Sequence, residues 1–160
     1  MGPLAEICDA LDNYQGMTYG GRWRNNTGGR VKDKLALLRE HKFAIAFENA
    51  AYPGYTTEKI VDAFLAGTIP IYWGDPAVTQ FFNSKAFIQC REGEPLTDVF
   101  QRIQKINESP ECYEAMLREP MFTAVAVEAL REGRRVAFLE NIFSQPLEQA
   151  YRRNRSRWGI

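Results

Sequence analysis

The sequence predicts an α/β fold, a parallel sheet flanked by helices, and three observations carry that prediction. "KFAIAF" (42–47) and "TIPIYW" (68–73) are continuous apolar runs, as expected of parallel strands covered on both faces. Between them Ile60, Val61, Phe64 and Leu65 recur at helical spacing. A strand, a short helix and a second strand in this order form a right-handed βαβ unit.

The elements follow in chain order. Leu4, Ile7, Cys8 and Leu11 predict a short helix over 4–12. Residues 13–30 carry five glycines and read as a loop. Val31, Leu35 and Leu38 give one face of a helix over 31–41. After the first strand, Thr56 or Thr57 caps the βαβ helix and Gly67 stops it. Gly74-Asp75-Pro76 turns the chain after the second strand, and "AFIQC" (86–90) is the third. A long helix starts near Pro95, with Leu96, Val99, Phe100, Ile103 and Ile106 on its apolar face. Ser109-Pro110 starts another by the N-cap and N1 preferences. A last helix is expected over 121–143, broken near Gly133.

Bulk properties narrow the function. The 160 residues suit one domain with a sizeable core. Twenty Lys plus Arg balance twenty Asp plus Glu, so no overall field selects nucleic acid as a partner. Cys8, Cys90 and Cys112 are widely spaced and odd in number, which reads as reduced, buried thiols of a cytosolic protein. No apolar run approaches the ~18 residues of a membrane helix. The opening "MGPLAE" lacks the segments of a signal peptide and reads as vector-derived over residues 1–6. His41, the only histidine, has no catalytic partner motif and is expected to be structural. One histidine and scattered cysteines do not suggest a metal site.

The stretch "FENAAYPGYTTEK" (47–59) holds the candidate chemistry. It joins the carboxyl end of a strand to the start of a helix, where ligands of open parallel sheets bind. Lys59 falls in the first turn of that helix, where the helix dipole should repel it by about 0.3–1 kcal/mol. A cation beside the free N–H groups of residues 57–60 makes sense if an anion is held between them. Asn49 offers donor and acceptor groups, Tyr52 and Tyr55 offer aromatic faces, and Glu58 can accept bonds from sugar hydroxyls. These are tools for a nucleotide diphosphate. There is no Walker loop and no G-x-G-x-x-G. The bland reading stands beside this one: Glu58 and Lys59 as solvated first-turn residues, and the tyrosines as loop packing.

"HKFAIAFENAAYPGYTTEKIVDAFLAGTIPIYWGDP" resembles the signature of the family 10 glycosyltransferases, the α-1,3/4-fucosyltransferases. The F-E-N, Y-x-T-E-K and I-P-I-Y-W-G elements occur in the family's order and spacing. "NNTGGRVKDKLALL" and "AFLENIFSQP" resemble bacterial members, extending the likeness over about residues 9–148. The resemblance implies a Rossmann-like domain over 1–148, the donor-binding half of a GT-B enzyme, followed by a basic tail over 149–160. It implies GDP-fucose as donor, a glycan acceptor containing N-acetylglucosamine, inversion at the transferred carbon, and no obligatory metal.

Carried over residue by residue, Asn49, Tyr55, Glu58 and Lys59 match donor-contacting positions of the family motif. Lys59 would bind phosphate. Glu58 would contact ribose or fucose hydroxyls, and in the second role would stabilise the fucosyl centre as its catalytic contribution. Glu48 belongs to the motif as a structural carboxylate bonding loop N–H groups. The family's proposed base belongs to an amino-terminal acceptor domain that has no counterpart in this sequence. A family arginine that binds phosphate falls where this chain has Leu4 or its neighbours. The alternative is a non-catalytic nucleotide-sugar-binding module; a third reading is an α/β domain without a ligand.

Other residues keep two readings. Arg22, Arg24 and Arg30 border the cleft or lie in a solvated loop. Trp73 walls a pocket or packs the core. The arginine-rich tail contacts the inner membrane surface peripherally, near lipopolysaccharide-type acceptors, or solubilises the chain.

Overall fold

The two apolar runs become β1 (Phe43–Phe47) and β2 (Ile69–Trp73), paired in parallel with Phe43 opposite Ile69 and Phe47 opposite Trp73. Helix α3 (Glu58–Leu65) connects them. The computed structural model describes residues 3–144 and residue 146. Residues up to Thr123 form one compact unit and those from Ala124 another.

In the first unit the sheet order is β1-β2-β3, with β3 reduced to Ile88–Gln89. The expected five-residue strand is shorter for a reason seated in β2. The Ile69 N–H bonds Lys42 O, so in the alternating parallel pattern residues 69, 71 and 73 face β1, while Pro70 and Tyr72 face β3. Pro70 has no N–H to donate there, and pairing begins only at Ile71 with Ile88. A 3-10 turn at Val78–Gln80, absent from the sequence reading, lies between β2 and β3.

Helix α1 runs over Pro3–Gln15. It is longer than the expected 4–12 and includes residues 3–6. The helix expected over 31–41 is only α2 (Lys34–Arg39), because the Asp33 carboxylate caps the Ala36 N–H at 2.9 Å and sets its start. α4 (Leu96–Glu108) and α5 (Pro110–Arg118) fall where expected. Ile7, Cys8 and Leu11 of α1 pack with Val99 and Ile103 of α4 on one face of the sheet. Ile60 packs with Ala46, Tyr72, Val78, Phe82 and Phe87 on the other.

Two expectations are corrected. Cys8 and Cys90 are buried free thiols, whereas Cys112 is exposed near the start of α5. The last helix starts at Ala124 rather than at 121, and the break expected near Gly133 is present, between α6 (Ala124–Ala129) and α7 (Glu132–Ser144). The break precedes Glu132, and Gly133 lies inside α7. The basic tail over 149–160 lies outside the described residues. His41 is structural: Nδ1 lies 2.9 Å from Leu37 O and Nε2 2.8 Å from Thr18 Oγ1.

Candidate functional site

Beyond β1, Glu48 keeps one ladder bond, its N–H donating to Trp73 O at 2.8 Å. Its side chain has no exposed surface. A lone buried carboxylate would be costly, and here three groups satisfy it. Oε1 accepts the Thr57 N–H at 2.8 Å, Oε2 accepts the Thr57 hydroxyl at 2.7 Å, and the Lys59 ammonium lies 3.3 Å from Oε2. The chain makes room for this carboxylate at Gly74. With φ at 151°, a Cβ on Gly74 would stand 2.5 Å from Glu48 Cγ. The glycine of "YWGDP" is thus required by close approach as well as by the turn.

Lys59 also donates to Phe47 O at 2.8 Å and to Asn49 Oδ1 at 3.2 Å. Three acceptors face the three protons of one ammonium. This corrects the expectation of a lysine opposed only by the helix dipole: a buried carboxylate and a strand-end carbonyl offset that repulsion. The side chain still keeps 27% of its surface in contact with solvent.

The expected row of four donors at residues 57–60 is corrected too. Thr57 stands at the N-cap position but makes no side-chain cap bond. Its hydroxyl and its own N–H are both taken by Glu48. The N–H groups of the first helical turn that follow, at Glu58, Lys59 and Ile60, have no side-chain cap.

A second network, which the sequence reading missed, holds the loop from below. Thr56 donates to Asp75 Oδ2 at 3.0 Å, the Asp75 N–H donates to Tyr72 Oη at 3.1 Å, and Asp75 Oδ1 accepts the Ala77 N–H at 2.7 Å. Asp75 and Tyr72 are buried. Burial raises the Tyr72 phenol above its ordinary value, and the negative charges of Glu48 and Asp75 push it the same way. The available signal was Thr-Thr before the helix and Gly-Asp-Pro after the next strand, two halves of one clamp.

The structure brings together Glu48, Asn49, Thr57 and Lys59, with exposed Glu58 beginning α3. Tyr52 and Tyr55 pair in their own turn, ring centroids 4.8 Å apart, with Gly54 at φ 82° between them. Trp73 is half-buried against Phe47, 6.1 Å between centroids, within the core. Arg24 is held by Asp9 of α1 and lies over the Trp23 ring at 4.3 Å. An open depression of about 330 Å³ runs beside β1 to Asn49 and Lys59. It is also lined by Lys34, a cation the sequence reading did not single out, which pairs with Asp62 at 2.8 Å. Among the described residues no group of three His, Cys, Asp or Glu side chains is placed to hold a metal ion, and no helix is long and apolar enough to cross a membrane.

Such a site can hold an anion: a partly exposed ammonium and uncapped N–H groups share one helix turn. Comparison with known proteins identifies the family. Residues 5–129 match the family model described as glycosyltransferase family 10 (fucosyltransferase), C-terminal. An alpha-(1,3)-fucosyltransferase of Helicobacter pylori is 40% identical over 111 residues, 69% of this chain and 23% of the relative. A putative fucosyltransferase of Acanthamoeba polyphaga mimivirus is 36% identical over 55% of this chain and 15% of its own length. A crystal structure of an alpha1,3-fucosyltransferase with GDP-fucose superposes with TM-score 0.78 at 34% identity, over 88% of this chain and 43% of that one. One with GDP gives TM-score 0.79 at 33% identity, with the same coverage. The chain thus spans less than half the length of these relatives.

Proposed function

The chain belongs to glycosyltransferase family 10, and from that premise we propose that it is the GDP-fucose-binding part of an inverting α-1,3/4-fucosyltransferase acting on glycans that contain N-acetylglucosamine. The observation that carries this is the Lys59 ammonium beside the uncapped first turn of α3, at the carboxyl ends of two parallel strands. A departing GDP bears negative charge on its diphosphate, and preorganised positive groups stabilise that charge in the transition state. In this reading Lys59 and the first-turn N–H groups bind the diphosphate without requiring a metal. Glu58, exposed at the helix start, accepts bonds from ribose or fucose hydroxyls. Asn49 and Tyr55 orient the donor, with Tyr52 beside them.

Transfer also needs a base for the acceptor hydroxyl. In this reading an amino-terminal acceptor-binding domain supplies it. Incubation with GDP-fucose and N-acetyllactosamine tests this. The chain alone should bind donor without transferring fucose, and joining it to the amino-terminal half of a close relative should produce transfer that Glu58→Ala abolishes. A hybrid that folds and binds GDP-fucose but never transfers fucose would favour a non-catalytic nucleotide-sugar-binding module. Robust turnover by the 160-residue chain would place a base within it and overturn the division of labour.

A further inference from the structure

Glu48 poses a problem that diphosphate binding alone does not explain. A site meant to attract an anion contains a fully buried carboxylate 3.3 Å from the partly exposed Lys59 ammonium. A carboxylate whose only task was to hold the loop N–H groups need not touch the lysine. Here a single oxygen, Oε2, serves both the Thr57 hydroxyl and Lys59.

We propose that Glu48 is a positioning residue that competes with phosphate for the Lys59 ammonium and so limits how tightly the site holds a nucleoside diphosphate. The inference rests on the reading that Lys59 binds the diphosphate. Two features keep the carboxylate where it is when an anion arrives. Thr57 holds both of its oxygens through N–H and hydroxyl, and Gly74 packs against its Cγ and Cβ. The ammonium keeps this negative neighbour while it meets phosphate. The two anions then sit about two hydrogen-bond lengths apart, roughly 6 Å, within a partly buried setting where charges are weakly screened. Like charges so placed oppose one another, and release of the diphosphate is favoured. Asn49 Oδ1 and Phe47 O aim the ammonium without adding charge.

The sign of the effect separates this role from a structural one. Glu48→Gln keeps the shape and the acceptor for the Thr57 N–H while removing the charge. Calorimetric titration with GDP should give binding about tenfold tighter than wild type. Thr57→Val leaves the charge and removes the hydroxyl that shares Oε2, so Lys59 is held more firmly and GDP should bind several-fold more weakly. In a Lys59→Ala background, Glu48→Gln should no longer tighten binding. Folding of each variant is checked by circular dichroism and melting, and Thr57→Val carries the test if Glu48→Gln does not fold. Folded Glu48→Gln that binds GDP as wild type or more weakly, Thr57→Val that binds at least as tightly as wild type, or tightening that persists without Lys59, would overturn the inference. Unchanged GDP affinity in Lys59→Ala alone would instead overturn the reading on which it rests.

Discussion

Replacing Gly74 by alanine tests whether the buried Glu48 network organises the site. The methyl group would stand 2.5 Å from Glu48 Cγ, 2.8 Å from Glu48 Cβ and 3.0 Å from Tyr72 Oη. Neither neighbour is the loose end of a flexible chain: Glu48 is held by Thr57 and Lys59, and Tyr72 is fully buried. A φ of 151° adds backbone strain of about 1–3 kcal/mol for a residue with a Cβ. Overpacking against fixed atoms adds about 1–3 kcal/mol. The sum, about 4 kcal/mol, is a large part of the roughly 5–15 kcal/mol that stabilises a domain. For a chain of this size it corresponds to a fall in Tm of about 8–16 °C. Gly67→Ala is the control. Gly67 also has positive φ, at 75°, but a Cβ there meets nothing within 4 Å, so it should cost only about 1–2 kcal/mol. Thermal melting followed by circular dichroism reads both. If Gly74→Ala melts no lower than Gly67→Ala, the close packing of Glu48 beneath the site is refuted.

Two further outcomes follow from the same core. A water-soluble thiol reagent should titrate one group in the native chain, the exposed Cys112, and three after denaturation; rapid native reaction at Cys8 or Cys90 would contradict their burial. Burial also pushes the Cys90 thiol from its ordinary value of 9.0 to about 12. Below pH 9 it is protonated in both states and contributes no pH dependence. As pH rises from 9 towards 12 the unfolded chain ionises first, so stability falls, by up to about 1.4 kcal/mol per pH unit for this group. Urea midpoints between pH 8 and 11 should decline, and Cys90→Ala should flatten part of that slope; an unchanged slope would rule out the thiol as its source.

The sequence disclosed β1, α3 and β2 because their apolar periods are long and agree with the turn residues around them. It also disclosed that Glu48, Asn49 and Lys59 would be neighbours, since the carboxyl ends of parallel strands and a helix start must meet in a βα loop. What it hid depends on contacts made across the fold. The length of β3 is limited by which side of β2 the missing Pro70 N–H faces. Lys59 looks misplaced when weighed against its own helix alone; its partners, Phe47 O and the carboxylate of Glu48, come from the preceding strand end. Glutamate is ordinarily exposed, so only the family resemblance marked Glu48 as a carboxylate bonding a loop N–H group, as it does at Thr57; its contact with Lys59 was hidden. The Thr56–Asp75–Tyr72 clamp spans two turns that were read separately. Arg24 was weighed for the cleft by its charge, whereas Asp9 and Trp23 account for its position.

The central claim is that Lys59 and the start of α3 form a diphosphate site, and calorimetric titration of GDP into wild-type and Lys59→Ala chains, with chelator present, tests it most directly. Loss of a charge-assisted phosphate contact, about 1.5–3 kcal/mol, should weaken GDP binding about ten- to hundredfold. Because Lys59 also neutralises buried Glu48, the variant should be somewhat less stable, so the titration is made well below its measured Tm. The account predicts GDP binding by the wild-type chain that chelator does not alter and that folded Lys59→Ala largely loses. Equal GDP affinity in the two folded chains, or wild-type binding that depends strictly on added Mg²⁺ or Mn²⁺, would contradict it.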